Sequence, residues 1–241
     1  MSDLRLPDWR RILAVVAHPD DESFGLGAVL STFIEAGAHV SVLCLTRGEA
    51  STAHEVKGDL SEIRVQELSA AANELGITDV HLGSFPDGRL TDNTVEDLMA
   101  YANVFVKRTE LDGVLCFDST GVTGHPDHVR ATEVAIGLAK ELSIGALGWT
   151  IPQWVADTLN REFGSSMDGR DDDEVDMVVT VNRAAQLRAV ERHPSQLVPG
   201  GLLWRRLALL DETEYLLWLA LPPSDRDRLN VNQGSRGKST T

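Results

Sequence analysis

Residues 12–17 form an unbroken apolar run, and the pattern returns at 39–46 and 113–117. A strand with one face in water alternates apolar and polar positions. Runs without that alternation, rich in β-branched residues, mark strands covered on both faces. Residues 25–35, 60–75, 95–108 and 129–142 carry a helical period instead, with Gly37 and Gly76 placed as stops after the first two. A short apolar run at 80–82 supplies a further strand. Strands alternating with helices predict right-handed crossovers and a doubly wound, mostly parallel α/β sheet. In such sheets the ligand lies beyond the carboxyl ends of the strands. After residue 146 the pattern weakens: 153–163 and 183–191 read as helices, 175–181 and 215–221 as strands. Residues 222–241 lack the apolar content to pack, so one domain is expected over 1–221, followed by a polar, flexible tail.

Charge and cysteine usage narrow the setting. The chain has 241 residues with 37 acidic and 22 basic groups, a formal charge of −15, and a nucleic-acid partner is therefore not expected. Every apolar run is shorter than the roughly 20 residues of a membrane span, and the first is too short for a secretory signal, so no membrane association is expected. Cys44 and Cys116 lie inside predicted buried strands with no second thiol nearby, which suits reduced core residues of a cytoplasmic protein. A homo-oligomer is compatible with this composition.

Two segments carry candidate chemistry. Ala17-His18-Pro19-Asp20-Asp21-Glu22 follows the first strand, and Gly124-His125-Pro126-Asp127-His128 follows the fourth, so both belong to the same sheet edge. Pro19 and Pro126 lack a backbone donor and stiffen their surroundings; both segments are expected to be loops. Imidazoles plus a carboxylate are the donors a catalytic zinc takes while leaving a position for water, and ferrous iron or another divalent ion accepts the same set. A competing reading has Asp20, Asp21 and Glu22 simply opening a helix, where acids suit the N-terminal dipole.

Together with Thr46-Arg47-Gly48-Glu49 after the second strand and Pro86-Asp87-Gly88 after the third, these segments resemble the LmbE-like, or PIG-L, family of zinc-dependent N-acetylglucosamine deacetylases over residues 12–196. The resemblance implies a Rossmann-like fold and hydrolysis of the N-acetyl group of a small N-acetylglucosamine conjugate. It makes His18, Asp21 and His128 the metal ligands and leaves Asp20 and His125 unligated. Asp20 is then the candidate general base. A protonated His125, oriented by Asp127, is the candidate oxyanion partner and proton donor to the departing amine. Arg47, Arg64 and Asp87 are expected to contact substrate, although a helix salt bridge to Glu67 would also account for Arg64 and a turn for Asp87. His193, in His193-Pro194-Ser195-Gln196, matches a family segment expected to support the pocket, while Glu22 either supports a ligand or starts the helix. His39, His54 and His81 have no such context.

One position departs from the family pattern. Some branches carry a tyrosine two residues before the first histidine of the second segment, where this chain has Thr123, too short to reach the same point. Two other readings compete. Gly25-Leu26-Gly27 after the first strand, with Arg47 ending the second, suits an NADP-binding oxidoreductase; against it, Leu30 fills the third glycine position and three acids lie where a pyrophosphate must approach. A noncatalytic sugar-binding protein would also share the motifs, yet none of the metal or acid-base positions is missing.

Overall fold

The unbroken apolar runs exist because each central strand is buried on both faces. Ile12, Ala14 and Val16 point into one core with Val40, Val42, Leu115 and Phe117. Leu13 and Val15 point into a second core with Leu43, Leu45, Val114 and Cys116. The computed structural model describes residues 5–106 and 110–222. The helical reading of residues 107–108 and the tail reading of 223–241 fall outside the described residues.

The chain runs β1 (Arg11–Val16), α1 (Asp21–Phe24), α2 (Gly27–Glu35), β2 (His39–Thr46), α3 (Leu60–Leu75), β3 (Asp79–Phe85), α4 (Val95–Val106), β4 (Gly113–Phe117), α5 (Pro126–Leu142), β5 (Gly145–Thr150), α6 (Gln153–Phe163), β6 (Met177–Thr180), α7 (Ala184–Val190), α8 (Leu202–Leu210) and β7 (Thr213–Ala220). The strands form one sheet in the order β3-β2-β1-β4-β5-β7-β6. From β3 to β5 every pair is parallel, while β7 runs antiparallel to both of its neighbours. The helices α2, α3 and α6 cover the first core, and α4 and α5 cover the second. This is the doubly wound, mostly parallel α/β sheet expected from the pattern. The order reverses between β1 and β4, so the loops after these two strands flank the crevice where such sheets bind ligands.

Two elements escaped the pattern. β5 reads Gly-Ala-Leu-Gly-Trp-Thr, and its glycines hide the strand signal; a Cβ at Gly145 would lie 2.9 Å from Trp9 and Trp218, and one at Gly148 2.9 Å from Leu219. Close neighbours leave no room there for β-branched side chains. The other is α8, whose apolar stripe includes an arginine.

Gly83 in β3 makes a sharper demand, since a Cβ there would sit 2.1 Å from the Leu45 carbonyl oxygen, beside the irregular pairing of β2 with β3. Gly83→Ala is expected to lower unfolding free energy by about 1–3 kcal/mol, the usual range for overpacking. Urea titration reads this directly, and an unchanged midpoint would mean that β2 and β3 do not approach this closely.

Candidate metal and catalytic site

His18 leaves the end of β1 through Ala17, and the carboxylate of Asp21 fixes the turn that follows. Its Oδ2 accepts the backbone N–H groups of Ala17 at 3.1 Å and His18 at 2.9 Å. His128 arrives from the other side of the crevice on the first turn of α5. Pro126 occupies the start of that helix, where its missing N–H costs nothing and its fixed φ suits the helix. The two segments are therefore not wholly loops, as expected from their prolines: Asp21 and Glu22 belong to α1, and Asp127 and His128 to α5.

Three side chains converge between these elements. His18 Nδ1 lies 3.1 Å from His128 Nε2 and 3.6 Å from Asp21 Oδ2, and His128 Nε2 lies 3.2 Å from Asp21 Oδ1. All three residues are buried. The ring partners on the far sides set the tautomers. His128 Nδ1 faces the Gly121 carbonyl at 3.2 Å and Thr123 Oγ1 at 2.7 Å. A carbonyl only accepts, so Nδ1 carries the proton and Nε2 presents a lone pair. His18 Nε2 lies 3.0 Å from Asp87 Oδ1 and 3.5 Å from Asp127 Oδ2, although hydrogen-bond alignment is met with neither. In the neutral imidazole with that nitrogen protonated, the form that binds an ion, His18 Nδ1 also presents a lone pair. Facing lone pairs repel unless a proton or a metal cation lies among them. Separations of 3.1–3.6 Å suit donors around one four-coordinate ion, for which bonds of about 2.0–2.2 Å place ligand atoms roughly 3.3–3.6 Å apart. The same field acts on protons: burial alone would lower the His18 pKa, but Asp127 and Asp87 outweigh it and raise it to about 10. Burial would raise Asp21, and the adjacent His128 instead holds it well below the carboxylate range.

A second group, His18, His125 and Asp127, is also compact enough for an ion. It is the weaker set, because the Asp127 oxygens already accept N–H groups from Gly88 at 2.8 Å and Leu90 at 3.0 Å.

Asp20 stands beside this centre with φ 146° and ψ −25°, a backbone conformation strained for any residue but glycine. Its carboxylate does not cap α1, so helix capping fails as its explanation. Oδ2 instead meets the Arg64 guanidinium at 3.0 Å, and the Asp20 N–H donates to Glu22 Oε2 at 2.9 Å. Burial raises the Asp20 pKa to about 6, against the opposing pull of Arg64. Glu22 is fully buried, and its other oxygen lies 2.8 Å from His193 Nε2. His193 thus supports Asp20 at one remove. Burial would lower its pKa, and the Glu22 charge raises it.

Other expected site residues are used differently. Arg47 pairs with Glu62 at 3.3 Å and lies outside the residues lining the cleft in this structure. Arg64 lines the cleft, but donates to the carbonyls of Gly48 at 2.8 Å and Pro19 at 2.7 Å besides holding Asp20. Its alternative partner Glu67 instead accepts from Ser195. The arginine crosses so close to Gly48 that a Cβ there would lie 2.2 Å from its guanidinium. Asp87 lines the cleft, anchored by the Ala50 N–H at 2.9 Å and turned toward His18. Asp127 orients His125 through its backbone rather than its carboxylate: the Asp127 N–H donates to His125 Nδ1 at 3.1 Å. His125 in this state therefore carries its proton on Nε2. Burial, followed by the neighbouring His18 and His128, lowers its pKa, which disfavours the protonated form expected from sequence.

The cleft encloses about 560 Å³, within the range of small-ligand sites. Its lining includes Thr123, Ser51, Gln196 and Arg206. Arg206 was missed because α8 was missed; a helical period over residues 202–210 would have put it on the apolar face.

Residues 13–139 match the family described as PIG-L, GlcNAc-PI de-N-acetylase. A 1D-myo-inositol 2-acetamido-2-deoxy-alpha-D-glucopyranoside deacetylase of Kineococcus radiotolerans is 34% identical over 186 residues, which is 63% of this chain and 52% of that protein. The chain thus spans about half the length of this relative. Among solved structures, the N,N'-diacetylchitobiose deacetylase of Pyrococcus horikoshii superposes with TM-score 0.66 at 20% identity, covering 90% of this chain and 88% of its own. The 4-carboxy-2-hydroxymuconate hydratase of Pseudomonas putida gives TM-score 0.66 at 17% identity, over 88% of this chain and 96% of its own. The match to more than half of its residues shows that this chain belongs to the PIG-L family.

Proposed function

We propose that the chain is a metal-dependent hydrolase that removes the N-acetyl group from a small N-acetylglucosamine conjugate. The carrying observation is the convergence of His18, Asp21 and His128 lone pairs in a cleft beside the unligated carboxylate of Asp20. The curated relatives, deacetylases of an inositol-linked 2-acetamido sugar, support the reading. The fold alone does not, since a hydratase shares it. The oxidoreductase alternative loses its glycines: Phe117 packs where a Gly25 side chain would go, and Gln186 does the same at Gly27. Both positions are explained by packing. Two free, buried cysteines fit a reducing cytoplasmic setting, and among the described residues no helix is long and apolar enough to cross a membrane.

His18, Asp21 and His128 would hold the ion, and two imidazoles with one carboxylate suit zinc or ferrous iron. When bound, such an ion lowers the pKa of a water and polarises a carbonyl. Asp20 takes the proton of the attacking water. Its pKa of about 6 lets it be ionised at neutral pH while remaining basic enough to accept a proton. Arg64 and the Glu22–His193 pair hold that carboxylate in place. His125 directs its Nε2–H to the oxygen of the tetrahedral intermediate. Service as the proton donor to the amine requires protonation of Nδ1 and loss of its bond to the Asp127 N–H.

The first expectation concerns metal content. Elemental analysis should find one divalent ion per chain. Asp21→Ala and His128→Ala should each weaken binding beyond the roughly 10- to 100-fold seen when only an outer partner of a ligand is lost. Full occupancy in both variants would move the ion to the His18, His125 and Asp127 group.

Asp20→Asn should keep the metal and lose about a hundredfold to ten-thousandfold in amine release, because the amide retains size but accepts no proton. Near-normal turnover would transfer the base role to another group.

His125→Ala should also keep the metal, and should lower kcat about 10²- to 10³-fold, as expected for a lost oxyanion donor. The pH profile separates its two possible duties. Asp20 sets the acid limb, since its carboxyl must be ionised: burial raises its pKa and the bound ion opposes that rise, and the rate falls as pH drops through the resulting value. A neutral His125 donor leaves any alkaline limb unchanged in the variant. Disappearance of that limb would show that protonated His125 had been acting as the acid.

A further inference from the structure

The part of the cleft lined by α8 contains a buried cation that the proposed chemistry does not use. On α8, Leu202, Leu203, Arg206, Leu207 and Leu210 share one face. The adjacent Arg205 turns outward and pairs with Glu162 at 2.8 Å. Arg206 turns inward and is 5% exposed. Its guanidinium carbon stands 4.9 Å from the centre of the Trp149 ring, and one terminal nitrogen donates to the Phe24 carbonyl. Nε has no partner, and Arg206 makes no ion pair among the described residues.

Glu214 is the acid whose charge most favours Arg206, but its oxygens are already taken. One accepts the Trp149 indole N–H at 2.6 Å, and the other pairs with Arg183. Two guanidinium groups thus share one carboxylate, leaving the wall with an uncompensated positive charge. Burial pushes the Arg206 pKa down to about 10, with Glu214 offsetting only part of the effect. A buried charge without a counterion is costly, and a guanidinium fork matches two oxygens of a carboxylate or phosphate. Arg206 lines the same cleft as Asp20, His125 and the three converging donors, next to Leu202, Leu203 and Phe24.

We propose that Arg206 recognises an acidic group, carboxylate or phosphate, on the aglycone of the conjugate, so that the substrate is an anionic glycoside. This rests on reading the cleft as the site of an N-acetylglucosamine conjugate. A charge-assisted fork of this kind contributes roughly ten- to a hundredfold in affinity.

The test uses N-acetylglucosamine glycosides with methyl, carboxymethyl and phosphoethyl aglycones. Amine release is measured with the metal-loaded full chain, and binding is measured by calorimetry in the Asp20→Asn background, independently of turnover. At least one acidic glycoside should show KM and Kd about tenfold or more below the neutral one, and the arm that does so identifies the acid. Arg206→Gln should erase this difference, and Arg206→Lys, which keeps the charge but not the fork, should retain part of it. Equal constants for neutral and acidic glycosides in the unsubstituted chain overturn the proposal, as does a preference that survives Arg206→Gln. Should the glutamine variant fail to fold, an undiminished preference in Arg206→Lys overturns it equally. Free acetate that binds the unsubstituted chain but not the glutamine variant would assign Arg206 to the released acyl group and overturn the aglycone assignment. Cleavage of the neutral glycoside without acid preference leaves the deacetylase reading standing. Tight, Arg206-dependent binding of an acidic glycoside that is never cleaved does the reverse.

Discussion

The convergence of His18 Nδ1 and His128 Nε2, 3.1 Å apart, on the two carboxylate oxygens of Asp21 at 3.6 and 3.2 Å sets the terms for the rest of the molecule. Such a cluster needs positive charge among its atoms, supplied by a proton on His18, whose pKa is raised to about 10, or by a bound cation. The fold holds the cluster because β1 and β4 are parallel neighbours, which brings the residues after both strands to one edge. Asp21 is tied to the backbone of Ala17 and His18, and His128 is tied through its far nitrogen to the turn before α5. Neither can swing away to relieve the repulsion without breaking those bonds.

Around this centre, buried charges are matched pair by pair. Arg64 faces Asp20, His193 faces Glu22, and Asp127 is satisfied by two backbone N–H groups. Burial of a charge is tolerable when its partner is fixed by further hydrogen bonds. The same pairing has a chemical consequence. Asp20 is held in a strained backbone conformation, desolvated enough to raise its pKa, and steadied by Arg64 without being neutralised. Strain there accompanies placement of a carboxylate next to His18, Asp21 and His128, which could hold an ion. Arg206 is the exception to the pairing, and its unmatched charge faces the space a ligand would fill.

The doubly wound sheet supplies position rather than reactivity. A hydratase and sugar deacetylases are built on closely similar folds, so the reaction must be argued from the tautomers, charges and spacing at the strand ends. Thr123 illustrates the point. It is too short to act as a distant oxyanion donor, yet it contacts the proton-bearing nitrogen of His128 at 2.7 Å and accepts the His125 N–H at 3.3 Å. Its service is to orient both histidines.

The central sheet was legible in the sequence because burial on both faces leaves an unbroken apolar run, as in 12–17, and alternation with helices implies parallel pairing. The candidate metal donors drew attention because histidines and acids recur after two such runs, and the choice of His18, Asp21 and His128, with Asp20 left unligated, came from resemblance to the family. β5 was not, since close packing against Trp9, Trp218 and Leu219 selects glycine where a strand signal would need branched residues. Nor were the duties of the arginines. Local sequence cannot say that Arg64 spends its donors on Gly48, Pro19 and Asp20, that Arg47 turns to Glu62, or that Arg206 enters the cleft. A long cation reaches whichever acceptor the assembled fold brings within range, and those acceptors come from segments far away in the chain. Sequence alone therefore determined the architecture and the kinds of donor at its edge. Only tertiary structure decided which proton each histidine carries, which charge remains unpaired, and which residue faces the ligand, because each of these depends on distances between residues that local sequence does not contain.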